Sequence, residues 1–273
     1  TFAFQTPVAM TPTTSKAFAL GYPFFIEPPV PLGRFVGSFE WVWLDDEFGK
    51  GDFIFYSIRV DLPSSNNLYG IYIKIPYAGV YNVTFDGDDI NEGFEFGNIM
   101  IGGKAAAFDS PQFSVAGGLE LTLPTAFKDN IDRLETVVNF PRDFPLYLTK
   151  ATTLSPYLSA AVQKRNLSLL GNLGIDFILN ADNFEGDELE ARIKYGAAMG
   201  LDTSLPISPH LFVEFNGYTL LSASSIEKTD LFFTPGVRLG KKFSPGFGLQ
   251  IPVTGTSADI AKASFIVDFQ ARF

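Results

Sequence analysis

Ala261-Lys262-Ala263-Ser264-Phe265-Ile266-Val267-Asp268-Phe269-Gln270-Ala271-Arg272-Phe273 ends the chain, and the fold turns on how this stretch is read. Ala263, Phe265, Val267, Phe269, Ala271 and Phe273 take the odd positions. Lys262, Ser264, Asp268, Gln270 and Arg272 take the even ones, with Ile266 the exception. Side chains alternate faces along a strand, so one face here is apolar and the other carries both signs of charge. A soluble edge strand can show the same period. Its length, its aromatic and aliphatic face and its terminal aromatic residue together set this strand apart.

That combination resembles the last strand of a bacterial outer-membrane β-barrel. The resemblance implies that Phe273, with Phe269 on the same face, is the assembly signal met by the barrel assembly machinery. Composition agrees. The chain has 273 residues, 46% of them hydrophobic, with a mean hydropathy of +0.15. No apolar run approaches the ~20 residues of a membrane helix. Lipid satisfies no backbone hydrogen bond, so a membrane protein without such runs must be a closed barrel. A soluble all-β protein fits the composition as well. Cysteine is absent, which excludes disulfides, thiolate chemistry and Cys-based metal sites. The net charge of −10 argues against nucleic acid, which calls for a basic face. No signal peptide is visible at Thr1; an exported chain would carry this sequence in its mature form.

Working back from the end, the chain divides into an arm, residues 1–33, and a barrel, residues 34–273. The arm holds Pro7, Pro12, Pro23, Pro28, Pro29 and Pro31, and proline removes ladder donors, so it is a poor strand. Tyr22, Phe24, Phe25 and Ile26 give it something to bury. Three uses fit: a segment tucked into a lumen, a docking segment for another envelope protein, or an ordered tail.

Alternating segments then recur. Arg34 to Leu44 sets Phe35, Phe39, Trp41 and Trp43 against Arg34, Ser38 and Glu40. Phe53 to Leu62 sets Ile54, Tyr56, Ile58 and Val60 against Ser57, Arg59 and Asp61. Further strands are expected at 68–77, 93–108, 112–124, 152–163, 167–179, 188–201, 209–220, 230–240, 246–253 and in the terminal stretch. In the fourth, parity changes near Asn98, as a β-bulge would cause. Between Thr125 and Ala151, Phe127, Ile131, Leu134 and Val138 recur at helical spacing. This predicts a short amphipathic helix ended by Pro141, packed on the rim or folded into the lumen.

The count is twelve, and short and long connections alternate, as in barrels with short periplasmic turns and longer external loops. The predicted fold class is therefore all-β, a transmembrane antiparallel up-and-down barrel of about twelve strands, in the bacterial outer membrane with lipid around it. Periodicity alone does not say which face points outward. Trp41, Trp43, Tyr56, Tyr69, Tyr77 and Tyr195 share the apolar parity, which suits interfacial girdles. The other parity then lines a lumen with Arg34, Glu40, Arg59, Lys74, Glu120, Glu190, Arg192, Lys194, Glu214, Arg238, Asp268 and Arg272. These residues fit cross-strand bracing and equally a mixed-charge pore lining that sets selectivity. Twelve strands imply a modest lumen that a loop or the arm can close.

Gly117-Gly118-Leu119-Glu120-Leu121-Thr122-Leu123-Pro124-Thr125, Leu154-Ser155-Pro156-Tyr157-Leu158, Asn172-Leu173-Gly174-Ile175-Asp176-Phe177, Thr234-Pro235-Gly236-Val237-Arg238 and Gln250-Ile251-Pro252-Val253-Thr254-Gly255 follow one another in the later chain. In that order they resemble the phenol meta-pathway "transporter"-type outer-membrane proteins, over residues 113 to 273. The resemblance implies a porin-like channel for passive passage of small molecules, apolar or aromatic ones among them. The alternatives are a structural or docking barrel with a closed lumen, bound to another envelope protein through the arm or external loops, and a secretion pore.

Chemistry beyond passage has little support. His210 stands alone, expected to face the lumen, with Ser208 two residues before it and no hydrolase motif around either. No phosphate-binding glycine loop and no metal-ligand spacing is present, so no catalytic residue, cofactor or metal is expected. Asp45-Asp46-Glu47 and Asp86-Gly87-Asp88-Asp89 offer hard oxygen ligands but lack the EF-hand pattern, and solvated charge is the expected reading.

Overall fold

The computed structural model describes residues 23–44, 50–85, 88–90, 93–126, 143–179, 189–203, 205, 207–221 and 229–273. In chain order its strands are β1 (Arg34–Leu44), β2 (Lys50–Pro63), β3 (Tyr69–Phe85), β4 (Asp88–Ile90), β5 (Gly93–Phe96), β6 (Met100–Asp109), β7 (Phe113–Thr122), β8 (Thr152–Lys164), β9 (Leu167–Leu179), β10 (Leu189–Asp202), β11 (His210–Leu220), β12 (Thr229–Arg238), β13 (Phe243–Thr254) and β14 (Ala261–Arg272). Every pairing is antiparallel, and all join neighbours in sequence except β3 with β5 and β6, and β1 with β14, which closes the ring. That seam runs in register from Arg34 opposite Arg272 to Trp43 opposite Ala263. The terminal stretch that decides the reading is thus the strand that closes the barrel.

The wall has twelve staves. β5 and β6 are two halves of one stave, both paired with β3, while β4 only extends β3 beyond the rim. The parity slip expected at Asn98 is present, because Phe96 faces Tyr77 whereas Met100 faces Lys74, one extra residue on the β5–β6 side. It is more than a bulge. The freed amides turn inward: Asn98 N–H donates to Leu146 O at 2.6 Å and Ile99 N–H to Thr125 Oγ1 at 2.8 Å. The short turns, such as Arg165–Asn166, lie at the end where β1 begins and β14 stops. By barrel convention that is the periplasmic end.

Outward parity is apolar on every stave. Ile71 is 63% exposed, Tyr69 60% and Leu158 60%, and Trp41, Trp43 and Tyr56 are also exposed. A water-facing sheet would not carry such a continuous band; lipid explains it. Aromatic pairs tie neighbouring staves on this surface, among them Phe39 with Tyr56 at 4.9 Å and Phe215 with Phe233 at 4.9 Å. Among the described residues no helix is long and apolar enough to cross a membrane, so the strands make the crossing.

The packed core lies inside the barrel, in two parts. Near the external end Val42, Phe53, Phe55, Val80, Ile178 and Phe232 point inward and surround Phe144, Leu146 and Leu148. Near the periplasmic end Ile26 and Val30 of the arm pack on Ala161, Leu170 and Ala198. The lumen face is therefore not polar throughout. On β2 the run Phe53-Ile54-Phe55-Tyr56 is apolar on both faces, because one face meets lipid and the other meets this inner layer.

Candidate functional site: the barrel lumen

The sequence-predicted lumen residues all point inward, and most are paired. On β12, Arg238 is fully buried and binds Asp268 of β14 through both Nη atoms at 2.7 Å, a fork that matches the carboxylate plane. Arg192 Nε meets Asp176 Oδ2 at 2.6 Å, and Lys194 Nζ bridges Asp176 Oδ1 at 2.8 Å and Glu120 Oε2 at 3.4 Å. Glu120 also accepts the Tyr72 hydroxyl at 2.8 Å. Arg34 Nε and Arg59 Nη2 both reach Asp61 at 2.6 Å. Glu40 and Lys74 line a central cavity, Glu190 is buried near the external end, and Arg272 lies at the periplasmic end of β14. Sign alternation between neighbouring strands, legible in the sequence, thus becomes cross-strand ion pairing.

The described part of the arm, for which a place in the lumen was one of three uses the sequence left open, fills the periplasmic half. Residues 23–32 run inside the barrel rather than beneath it. The backbone N–H groups of Phe24 and Phe25 donate to the two oxygens of Glu214, at 3.1 and 3.0 Å, and Glu214 is fully buried. Glu27 takes the Arg59 fork at 2.8 Å on each oxygen, and Lys104 Nζ also binds it. Arg34 Nη2 stands 3.8 Å away. The wall is cut to receive the arm. Gly236, Gly246 and Gly248 form a notch in which the Phe24 ring lies, and a Cβ at Gly196 would collide with Ile26. Absence of a Cβ is what lets these side chains approach the sheet. The Phe24 ring meets Phe212 edge-on at 5.2 Å and lies 5.4 Å from the Arg238 guanidinium carbon.

The external half is closed by the end of the long connection after β7. Phe144–Leu146 forms one 3-10 turn, and Tyr147 and Leu148 follow it into the inner apolar layer. Asn98 holds this turn in place. Its Nδ2 donates to Pro145 O at 3.1 Å and Leu148 O at 2.7 Å, while its Oδ1 accepts Ala126 N–H at 2.9 Å. The predicted helix carrying Phe127, Ile131, Leu134 and Val138 lies outside the described residues, as do Asp45, Asp46, Glu47, Asp86 and Gly87.

Between the two closures lies a cavity of about 270 Å³, bordered by Phe25, Glu27, Arg59, Tyr147, Lys194 and Gln270 among others. The fold is shared with outer-membrane β-barrels of known structure. The COG4313 outer membrane channel from Pseudomonas putida F1 aligns with a TM-score of 0.58 at 10% identity, covering 93% of this chain and 100% of that one. The KdgM porin aligns at 0.51 and 10% identity, over 88% and 99%, and LpxR from Salmonella typhimurium at 0.50 and 10%, over 88% and 100%. No family model matches the sequence, and no curated protein does. The twelve-stave barrel and its apolar belt place the chain in a bacterial outer membrane.

His210 faces inward, 2% exposed, with Nδ1 3.0 Å from Asp202 Oδ1 and its ring over Gly200. Ser208 is engaged through its backbone, N–H to Leu205 O at 2.8 Å. The His–Asp pair braces the periplasmic ends of β10 and β11. Among the described residues no group of three or more metal-ligating side chains comes together.

Proposed function

We propose that this protein is a gated outer-membrane channel for small solutes, with arm residues 23–32 as the plug of its periplasmic half. One observation carries the reading: beside the small apolar cluster at Ile26 and Val30, the arm's backbone and its Glu27 are held by exchangeable polar contacts. Glu214 and the Arg59–Lys104 pair bind it through charge-assisted hydrogen bonds that water or a solute can replace. A lumen filled for stability alone would do better with apolar wall side chains, since buried ion pairs seldom improve on them. The channel and porin names among the structural neighbours support the same reading. The solutes are small and apolar or aromatic, in keeping with the resemblance to the phenol meta-pathway transporter-type proteins and with the aromatic rings around the cavity.

The rival reading, a closed docking barrel, takes its support from the apolar layer around Phe144 at the external mouth. Conductance in planar bilayers separates the two. The full chain should show rare steps, and a chain without residues 1–33 should show frequent, larger ones. Silence from both, with the barrel folded, refutes the channel.

A further inference from the structure

Lys104 has the most unusual surroundings of the lumen cations. It projects from β6 and is buried, and its two partners, the Glu27 carboxylate and the Pro28 carbonyl at 3.0 Å, both belong to the arm. Among the described residues, the wall supplies Lys104 with no anion of its own. Arg59 is built in a complementary way. Asp61 holds its Nε at 3.0 Å and its Nη2 at 2.6 Å from behind, and the guanidinium carbon lies 3.9 Å over the Tyr72 ring. The guanidinium is thus fixed in orientation, and its outer edge presents both Nη atoms to Glu27 in the two-point geometry that a planar carboxylate fits. Withdrawal of the arm would leave a buried ammonium and a preoriented fork facing the cavity. Each would then exchange its carboxylate partner for water or for another anion, and an anion of matching shape recovers the charge-assisted bonds that water replaces only in part.

We infer that Arg59 and Lys104 form a carboxylate-binding site for the transported solute, that Glu27 occupies it as an internal surrogate, and that a small aromatic carboxylate opens the channel by displacing the arm. This rests on the channel reading and adds the solute class to it. Carboxylate supplies the charge match. The aromatic part follows from rings that stay with the wall when the arm leaves, Tyr157 beside the cavity and Tyr72 under the Arg59 guanidinium, and the cavity's volume of about 270 Å³ exceeds the ~150 Å³ that suffices for benzene. Opening follows from competition: a ligand that binds only the arm-out state shifts the population toward it.

Benzoate and the neutral benzyl alcohol, similar in size, are the probes, and binding to the folded full chain in detergent is the primary readout. Calorimetry should show benzoate binding the Glu27→Ala variant at least tenfold more tightly than the unaltered chain, with benzyl alcohol indifferent to the change. Adding Lys104→Gln, or in a separate protein Arg59→Lys, should remove that gain. In the unaltered chain, benzoate should speed amide exchange of residues 24–30 severalfold, and benzyl alcohol should not. Equal binding of the two probes, or no loss with either second substitution in a heat-modifiable, folded barrel, overturns the site. Benzoate binding to Glu27→Ala without loosening of the arm in the unaltered chain also overturns it, since the substitution would then have made the hole. Calorimetry needs no open pore. Binding with silent bilayers would therefore sink the channel reading, and conduction without preferential benzoate binding would sink this inference.

Discussion

Asn98→Ala should unlatch the external constriction while leaving the barrel intact. Asn98 is wholly buried at the break between β5 and β6, and its amide makes three hydrogen bonds, to Pro145 O, Leu148 O and Ala126 N–H. Alanine removes all three and offers no replacement. At a net ~1 kcal/mol per bond the loss is about 3 kcal/mol, and more if the stranded backbone groups stay dry. At 1.4 kcal/mol per tenfold, the opening equilibrium of the constriction shifts by roughly 100-fold. The main-chain bond from Asn98 N–H to Leu146 O survives the substitution, so the segment should open more often and still close. Hydrogen exchange followed by peptide mass spectrometry is the assay. Amides of residues 144–148 should exchange roughly 100-fold faster, while β9 and β14 keep their protection. Unchanged protection at 144–148 would refute the idea that the Asn98 side chain is the latch. Faster exchange across all staves would show instead that Asn98 supports the barrel as a whole.

Glu214→Gln keeps the shape but leaves one carbonyl oxygen for the two arm amides, removing charge-assisted bonds worth ~1.5–3 kcal/mol each; single-channel recording should show a higher open fraction. Gly248→Ala puts a methyl where the Phe24 ring lies, so fluorescence from a probe placed on the arm should report its displacement while the barrel still migrates as folded. Arg238→Met strands the Asp268 carboxylate, with an expected loss of about 3–5 kcal/mol in urea unfolding, and Arg238→Met with Asp268→Leu should recover most of it. Phe273 is 73% exposed and its N–H reaches Gly33 O at 3.2 Å, so Phe273→Ser should cut the yield of assembled barrel in cells while leaving the unfolding midpoint of purified barrel nearly unchanged.

Local alternation determined the wall. Each stave must offer apolar side chains to lipid at every second residue, so the strands, their count and their inward charges were legible from β1 to β14 without any knowledge of neighbours. The parity slip at Asn98 was legible for the same reason, as a break in a period of two. Nothing in the sequence, however, paired Glu27 with Arg59 and Lys104, or Phe24 with Gly236, Gly246 and Gly248. Those contacts join residues far apart in the chain across a space whose width depends on strand number and stagger, and no local period encodes either. Prolines marked residues 23–32 as unfit for the sheet and left a lumen segment, a docking segment and an ordered tail open, and no period marked Phe53 and Phe55 as facing an inner apolar layer. The sequence by itself determined the alternating strands, their number and which residues share a face. Only the tertiary structure decided what fills the barrel they form, because a lumen exists only after the last strand has met the first.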